Sequence, residues 1–173
     1  MILSKLKLGE LFRMNKLQLD DIQAEKLIKC LKNVLKKHIK NLSKNDKGQF
    51  MLESNKDGIQ RQYQVNYMYA TDNTHINLMD LKTKLTLVRI NLDSKFHNNS
   101  DGKVWGHRIE IFSEEEFYQK NDSFTHIKAY PLPYEDIKDT GDFLIALKEL
   151  LDYTNTHKQN RLQITISRNF DLW

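Results

Sequence analysis

Cleavage of an RNA strand without a metal needs few groups: a base to take the 2'-hydroxyl proton, an acid to protonate the leaving oxygen, and cations to hold the charge on the phosphorane. All of these types fall between Leu85 and Pro133, together with half of the six histidines. Glu110 or His126 is a candidate base, His97 or His107 a candidate acid, and Arg89, Arg108 and Lys128 are candidate cations. Strand alternation turns Arg108 and Glu110 to one side of the run 104–112, and His126, Lys128 and Tyr130 to one side of the run 125–132. If those strands are neighbours, Arg108, Glu110, His126 and Lys128 form one polar cluster. The plainer alternative is a surface charge pair, the usual fate of an Arg and a Glu two apart on an exposed face.

Two other groups invite chemistry. His97, Asp101 and His107 lie within a short span but lack His-x-His or His-Glu-x-x-His spacing, so neither a metal nor another cofactor is expected. Lys29, Lys32, Lys36, Lys37 and Lys40 make a lysine-rich face that can neutralise phosphates, and Tyr63 and Tyr67 alternate on a strand as base-stacking platforms do. Each has an ordinary counterpart, a solvated helix face for the lysines and a core face for the tyrosines.

The elements that must position these residues are set by local signals. Asp20 and Asp21 start a helix over 19–42, with Ala24, Leu27, Ile28, Leu31, Val34, Leu35 and Leu42 at helical spacing. This places His38 on a helix, and His157 is expected on another. Residues 49–55 run into a hairpin turn at Lys56-Asp57-Gly58, and the tyrosine strand returns. His75 belongs to a turn region before a short strand, 76–80. Strands follow at 85–93, 104–112 and 125–132, with a polar loop over 96–103. Ser113 caps a helical turn, Asp142 precedes a second good helix over 143–155, and 162–166 is a last strand. The expectation is an α+β domain, an antiparallel sheet with two main helices packed on it. Residues 1–173 form one domain, with 1–17 as an N-terminal arm and 169–173 as a tail.

With 173 residues and hydrophobic residues at 39%, a real core can be buried without covalent staples. Cys30 is the only cysteine, which excludes an internal disulfide and points to a reducing compartment. The first residues lack a continuous apolar run, so neither export nor membrane insertion is implied and the cytoplasm is the natural address. A net charge of +4 makes a polyanion partner reasonable without demanding one.

The runs Leu87 to Leu92, His97 to Gly102, Arg108 to Phe112, Ala129 to Leu132 and the late helix resemble an uncharacterised family of small proteins from phages and mobile elements of Firmicutes. That family's pattern is Leu-x-Arg-x-Asp, His-x-Asn-Pro-Asp-Gly and His-x-His-x-Tyr. Here Asn91 stands for the acid, Ser100 for the proline, and Arg108 and Glu110 for the paired histidines. The same order of elements is similar to the TumE-type toxins of toxin-antitoxin pairs. Together these resemblances imply a cytosolic conflict protein, either a toxin-like ribonuclease or a phage-borne inhibitor of a bacterial defence such as CRISPR. The function expected is RNA binding with metal-independent endoribonuclease activity, directed at host RNA or a defence ribonucleoprotein. The alternative is a non-enzymatic inhibitor or antitoxin-like module that acts by protein contact.

Overall fold

The tyrosines of the 59–69 strand set the fold, because their face is the floor of the core. The computed structural model describes residues 16–168. Over them the chain runs α1 (Asp21–Lys29), β1 (Lys32–Val34), β2 (His38–Leu42), β3 (Asp46–Lys56), β4 (Ile59–Tyr69), β5 (Thr74–Asp80) and β6 (Thr86–Leu92). It continues through β7 (Phe96–Asn99), β8 (Gly102–Trp105), β9 (Arg108–Phe112), α2 (Glu114–Lys120), β10 (Ile127–Pro131), α3 (Phe143–Tyr153), β11 (Thr156–His157) and β12 (Leu162–Ile166). The eight-stranded sheet has the order β10-β9-β6-β5-β4-β3-β1-β11, antiparallel except for the β1–β11 pair. Two small sheets accompany it, the parallel pair β2–β12 and the hairpin β7–β8. This is the expected α+β class. The expected tail, 169–173, and nearly all of the expected arm, 1–17, lie outside the described residues.

One face of the sheet carries Phe50, Leu52, Tyr63, Val65, Tyr67, Ile76, Leu78, Val88, Ile90 and Ile109, and it packs against Ala24 and Ile28 of α1 and the Phe143-to-Leu151 stripe of α3. Burial of this alternating set drives the fold. The other face presents Gln49, Met51, Gln64, Asn66, Met68, His75, Asn77 and Met79, none of them fully buried. The long β3–β4 hairpin turns on Asp57 and Gly58, both with positive φ, as a two-residue turn requires. Gly48 leaves room for its cross-strand neighbour Tyr67, whose hydroxyl a side chain at 48 would strike. Among the described residues, no helix is long and apolar enough to cross a membrane.

The first helix is shorter than its periodicity predicts. Its capping box, Asp20 with Gln23, forms as expected, but the helix ends at Lys29 and the chain turns extended at Cys30. Leu31 is left exposed, whereas Val34 and Leu42 reach the core as inward strand residues, so the apolar spacing that suggested one helix is shared by two strands. Pairing of β1 with β3 and β11 overrides helix propensity here. His38 and His157 therefore lie on β2 and β11 rather than on helices, and His75 is a half-buried residue of β5 rather than part of a turn. The loop expected at 96–103 is the β7–β8 hairpin. The strand expected over 104–112 breaks at Gly106, where φ is +75°, so that 102–105 belong to the hairpin and 108–112 to the main sheet.

Candidate functional site

Strand register decides which of the candidate catalytic residues meet. Arg89 of β6 lies directly opposite Glu110 of β9, and Asn91 opposite Arg108, on the sheet face away from the helices. The β7–β8 hairpin folds over that end. It brings His97 Nδ1 to 3.3 Å from Glu110 Oε1. Arg108 is the centre of the network: its Nε donates to Glu110 at 3.1 Å, and its Nη1 donates to Asp93 at 2.7 Å and to the Gly106 carbonyl at 2.9 Å. Arg89 Nε donates to Asn91 Oδ1 at 2.8 Å. Burial alone would push the Glu110 carboxyl up. The hydrogen bond from His97 and the charges of His97, Arg108 and Arg89 outweigh it and hold Glu110 below the ordinary carboxylate range. His75, next to Asn91, is pulled down by burial and by the charge of Arg89.

The hairpin is pinned from its other end as well. The Asn99 amide donates to the Ala129 carbonyl and accepts from the Ala129 N–H, both at 2.9 Å, a side-chain copy of a ladder pair on the edge strand β10. Ser100 donates to Glu116 through its backbone N–H and its hydroxyl. Arg89, His97, Arg108 and Glu110 are thus held in one rigid cluster.

The remaining candidates are elsewhere, and the four-residue cluster expected from parity does not form. Strands β9 and β10 are neighbours, but Glu110 pairs with Ala129 and Lys128 with Ile111. Lys128 consequently emerges on the opposite face from Arg108 and Glu110, because directly opposed residues share a side, and His126 precedes β10 with its ring 5.9 Å from that of Phe112. Lys128 pairs with Asp101 at 3.0 Å, His126 Nδ1 lies 2.8 Å from the Phe124 carbonyl, and His107 pairs with Asp139 at 2.6 Å. With 4% of its surface exposed and its Oε1 shared by Arg108 and His97, Glu110 offers little to a substrate hydroxyl in this arrangement. The network's evident work is to staple the hairpin to the sheet.

The nucleic-acid candidates also divide. Tyr63 and Tyr67 are core residues, 0% and 2% exposed, so their rings cannot stack on bases. Lys32 is fully buried, donating to the carbonyls of Ile28, Cys30 and Thr154 at 2.7, 2.9 and 2.9 Å. Lys29 remains on α1, its Nζ 3.5 Å from the centroid of the Tyr153 ring. Lys36, Lys37 and Lys40 are exposed, but on the β1–β2 corner and β2 rather than on a helix face.

Pairing of β2 with β12 adds cations that the reading of residues 26–47 alone could not supply. His38 to Leu42 run beside Leu162 to Ile166 in parallel register, and Arg161 Nη1 donates to the Val34 and Leu35 carbonyls at 3.3 and 3.1 Å. Exposed Lys158, Arg161 and Arg168 thereby join Lys36, Lys37, Lys40 and Lys44. No Asp or Glu occurs from 26 to 45 or from 153 to 170, and that absence in both segments is the signal the sequence held. The result is a basic edge with no carboxylate from its own strands.

A family model described as a family of unknown function (DUF6978) matches residues 19–156. The match spans the Arg108 network and β2, and stops before β12. Neither the curated proteins nor the solved structures contain a match.

Proposed function

The chain belongs to this DUF6978 family of unknown function, so its activity has to be argued from its own residues, and we propose that it binds RNA along the basic β2–β12 edge. The observation that carries this is the joining of Lys36, Lys37, Lys40 and Lys44 to Lys158, Arg161 and Arg168 across two segments free of acids. Such an edge gains affinity by releasing counterions from phosphates and needs no base-specific contact. Following the resemblance to phage and mobile-element proteins, the target is a host RNA or a defence ribonucleoprotein, and the setting is the host cytoplasm.

Strand cleavage is a second reading, favoured by His97, Glu110 and the terminal nitrogens of Arg89, which hydrogen-bond no other described residue, on one face. In it Glu110 takes the proton of the 2'-hydroxyl, the 2'-oxygen bonds to phosphorus to give a 2',3'-cyclic phosphate, and the bond to the 5'-oxygen breaks as that oxygen takes a proton from the His97 imidazolium, Arg89 holding the phosphorane. Opening of the β7–β8 hairpin would have to precede it, because Glu110 is covered.

One experiment separates the readings. The chain is incubated in EDTA with a labelled RNA pool and run on native and denaturing gels beside Lys36→Glu/Lys40→Glu/Lys158→Glu and His97→Ala. Binding is expected to weaken at least about tenfold in the charge-reversal variant, with the salt slope reduced by roughly 0.7 for each phosphate that is no longer neutralised. Fragments that disappear in His97→Ala would establish cleavage. Equal binding by the charge-reversal variant would overturn the β2–β12 edge as the RNA site, and absence of binding by the parent chain would overturn RNA binding itself and leave the non-enzymatic protein-contact inhibitor as the function to test.

A further inference from the structure

On the helix side of the sheet, far in character from the basic edge, a cavity of about 380 Å³ opens between α1, the β9–β10 pair, the turn after β10 and the end of α3. Its aromatic wall is Tyr130, Tyr134 and Tyr153, with the rings of Tyr130 and Tyr134 5.0 Å apart. Glu25, Glu115 and Glu135 stand on its rim, exposed, and none of their three carboxylates hydrogen-bonds or pairs with another described residue. Two lysines share the lining, and both are committed. Lys128 reaches Asp101, and Lys29 sits over Tyr153 with its Nζ 3.5 Å from the ring centroid. One of the three rings thus already holds an ammonium supplied by the chain itself. Burial and then the Glu135 carboxylate, with smaller contributions from Tyr134 and Glu25, push the Tyr153 hydroxyl up.

Electron-rich ring faces beside unpaired carboxylates attract a cation carried on an apolar stem. They repel phosphate, which separates this cavity from the RNA-binding edge. Among the described residues no cluster of metal-ligating side chains forms, so the complementary ligand is organic. We propose that this cavity binds an alkyl guanidinium or alkyl ammonium group, its charge held between Glu25 and Glu135 and its stem laid on Tyr130 and Tyr134. The group belongs either to a free polyamine-type cation or to an arginine or lysine side chain of a protein.

Calorimetric titration of the full chain tests this with two probes, agmatine and a terminally blocked Gly-Arg-Gly peptide. Saturable binding of at least one is expected, weakened about fivefold or more in Glu25→Gln/Glu135→Gln, a surface change that leaves the core intact. Tyr134→Phe keeps the ring and is expected to keep affinity. Lys29→Ala frees the Tyr153 face and is expected to tighten binding, an effect no merely structural role predicts. Tighter binding of agmatine assigns the site to a free cation, and tighter binding of the peptide assigns it to a protein side chain. Absence of saturable binding by both probes at millimolar concentration, or equal binding by the double Gln variant, overturns the proposal. RNA retardation by the double Gln variant is expected to match the parent chain, so failure here and failure of the RNA reading are distinguishable.

Discussion

Replacing Arg108 by alanine is expected to lower the stability of the chain by about 4 kcal/mol, the cost of removing one partner from a buried ionic network. Arg108 is 5% exposed, and its guanidinium binds the carboxylates of Asp93 and Glu110, which are 5% and 4% exposed. Without it two buried anions face each other across the network, and His97 and Arg89 are the cations left beside Glu110. Arg108 also donates to the Gly106 carbonyl, so its loss frees the hairpin at the point where 102–105 leave the main sheet. Urea denaturation measures the loss, and amide exchange should show protection falling first over 96–105. Arg108→Lys is expected to recover only part of it, because one ammonium cannot reproduce the fork that reaches Asp93 and Glu110 together. A midpoint within experimental error of the parent for Arg108→Ala would mean that the network contributes nothing to holding the hairpin.

The second large effect is expected at Lys32. Its ammonium takes the last carbonyls of α1, Ile28 and Cys30, together with Thr154 at the end of α3, and so caps two helix C-termini at once. Methionine fills the same volume and takes the donor from the carbonyls of Ile28 and Cys30, leaving Thr154 only a 3.5 Å bond from the Thr156 hydroxyl, with an expected loss of about 3 kcal/mol. The parent chain also carries a pH signature. Burial pulls the Lys32 pKa from 10.5 down to about 8, so between those values the unfolded chain holds more protons at this position than the folded one. Stability contributed at this site accordingly rises with pH through that window. The difference between parent and Lys32→Met urea midpoints is expected to grow as pH rises from about 8 towards 10.5. A constant difference would mean that the ammonium is not desolvated.

Lys32 also shows why burial was hard to foresee. Read as part of a helix it does not differ from Lys29 or Lys36, and it is the alternation of β1, which puts it on the same side as buried Val34, that turns it inward to the Ile28 and Thr154 carbonyls. The β3–β4 hairpin was legible because Asp57-Gly58 is a local signal, and so were the caps Asp20, Ser113 and Asp142. Alternation likewise offered a core face as the ordinary role of Tyr63 and Tyr67, and the structure buries both. Register was not legible. A shift of one residue between β9 and β10 exchanges faces, and that alone decides whether Glu110 meets Lys128 or Ala129. The grouping of Arg108 with Glu110 survived because it lies within one strand, whereas His97 joined through a hairpin hidden in what reads as a polar loop. The basic edge was half visible, since its second strand is separated from the first by nearly the whole chain.

That separation bears on the order in which the molecule comes into being. β2 leaves the ribosome long before β12, and until the late strand arrives Lys36, Lys37 and Lys40 lie on an unpaired segment without Lys158, Arg161 and Arg168 beside them. A nascent chain therefore passes the ribosome's own RNA with half of its charge array unassembled, and the complete array exists only after the C-terminal segment is free to dock. Premature termination just before residue 158 would release a protein that keeps the Arg108 network and lacks the strand that completes the basic edge.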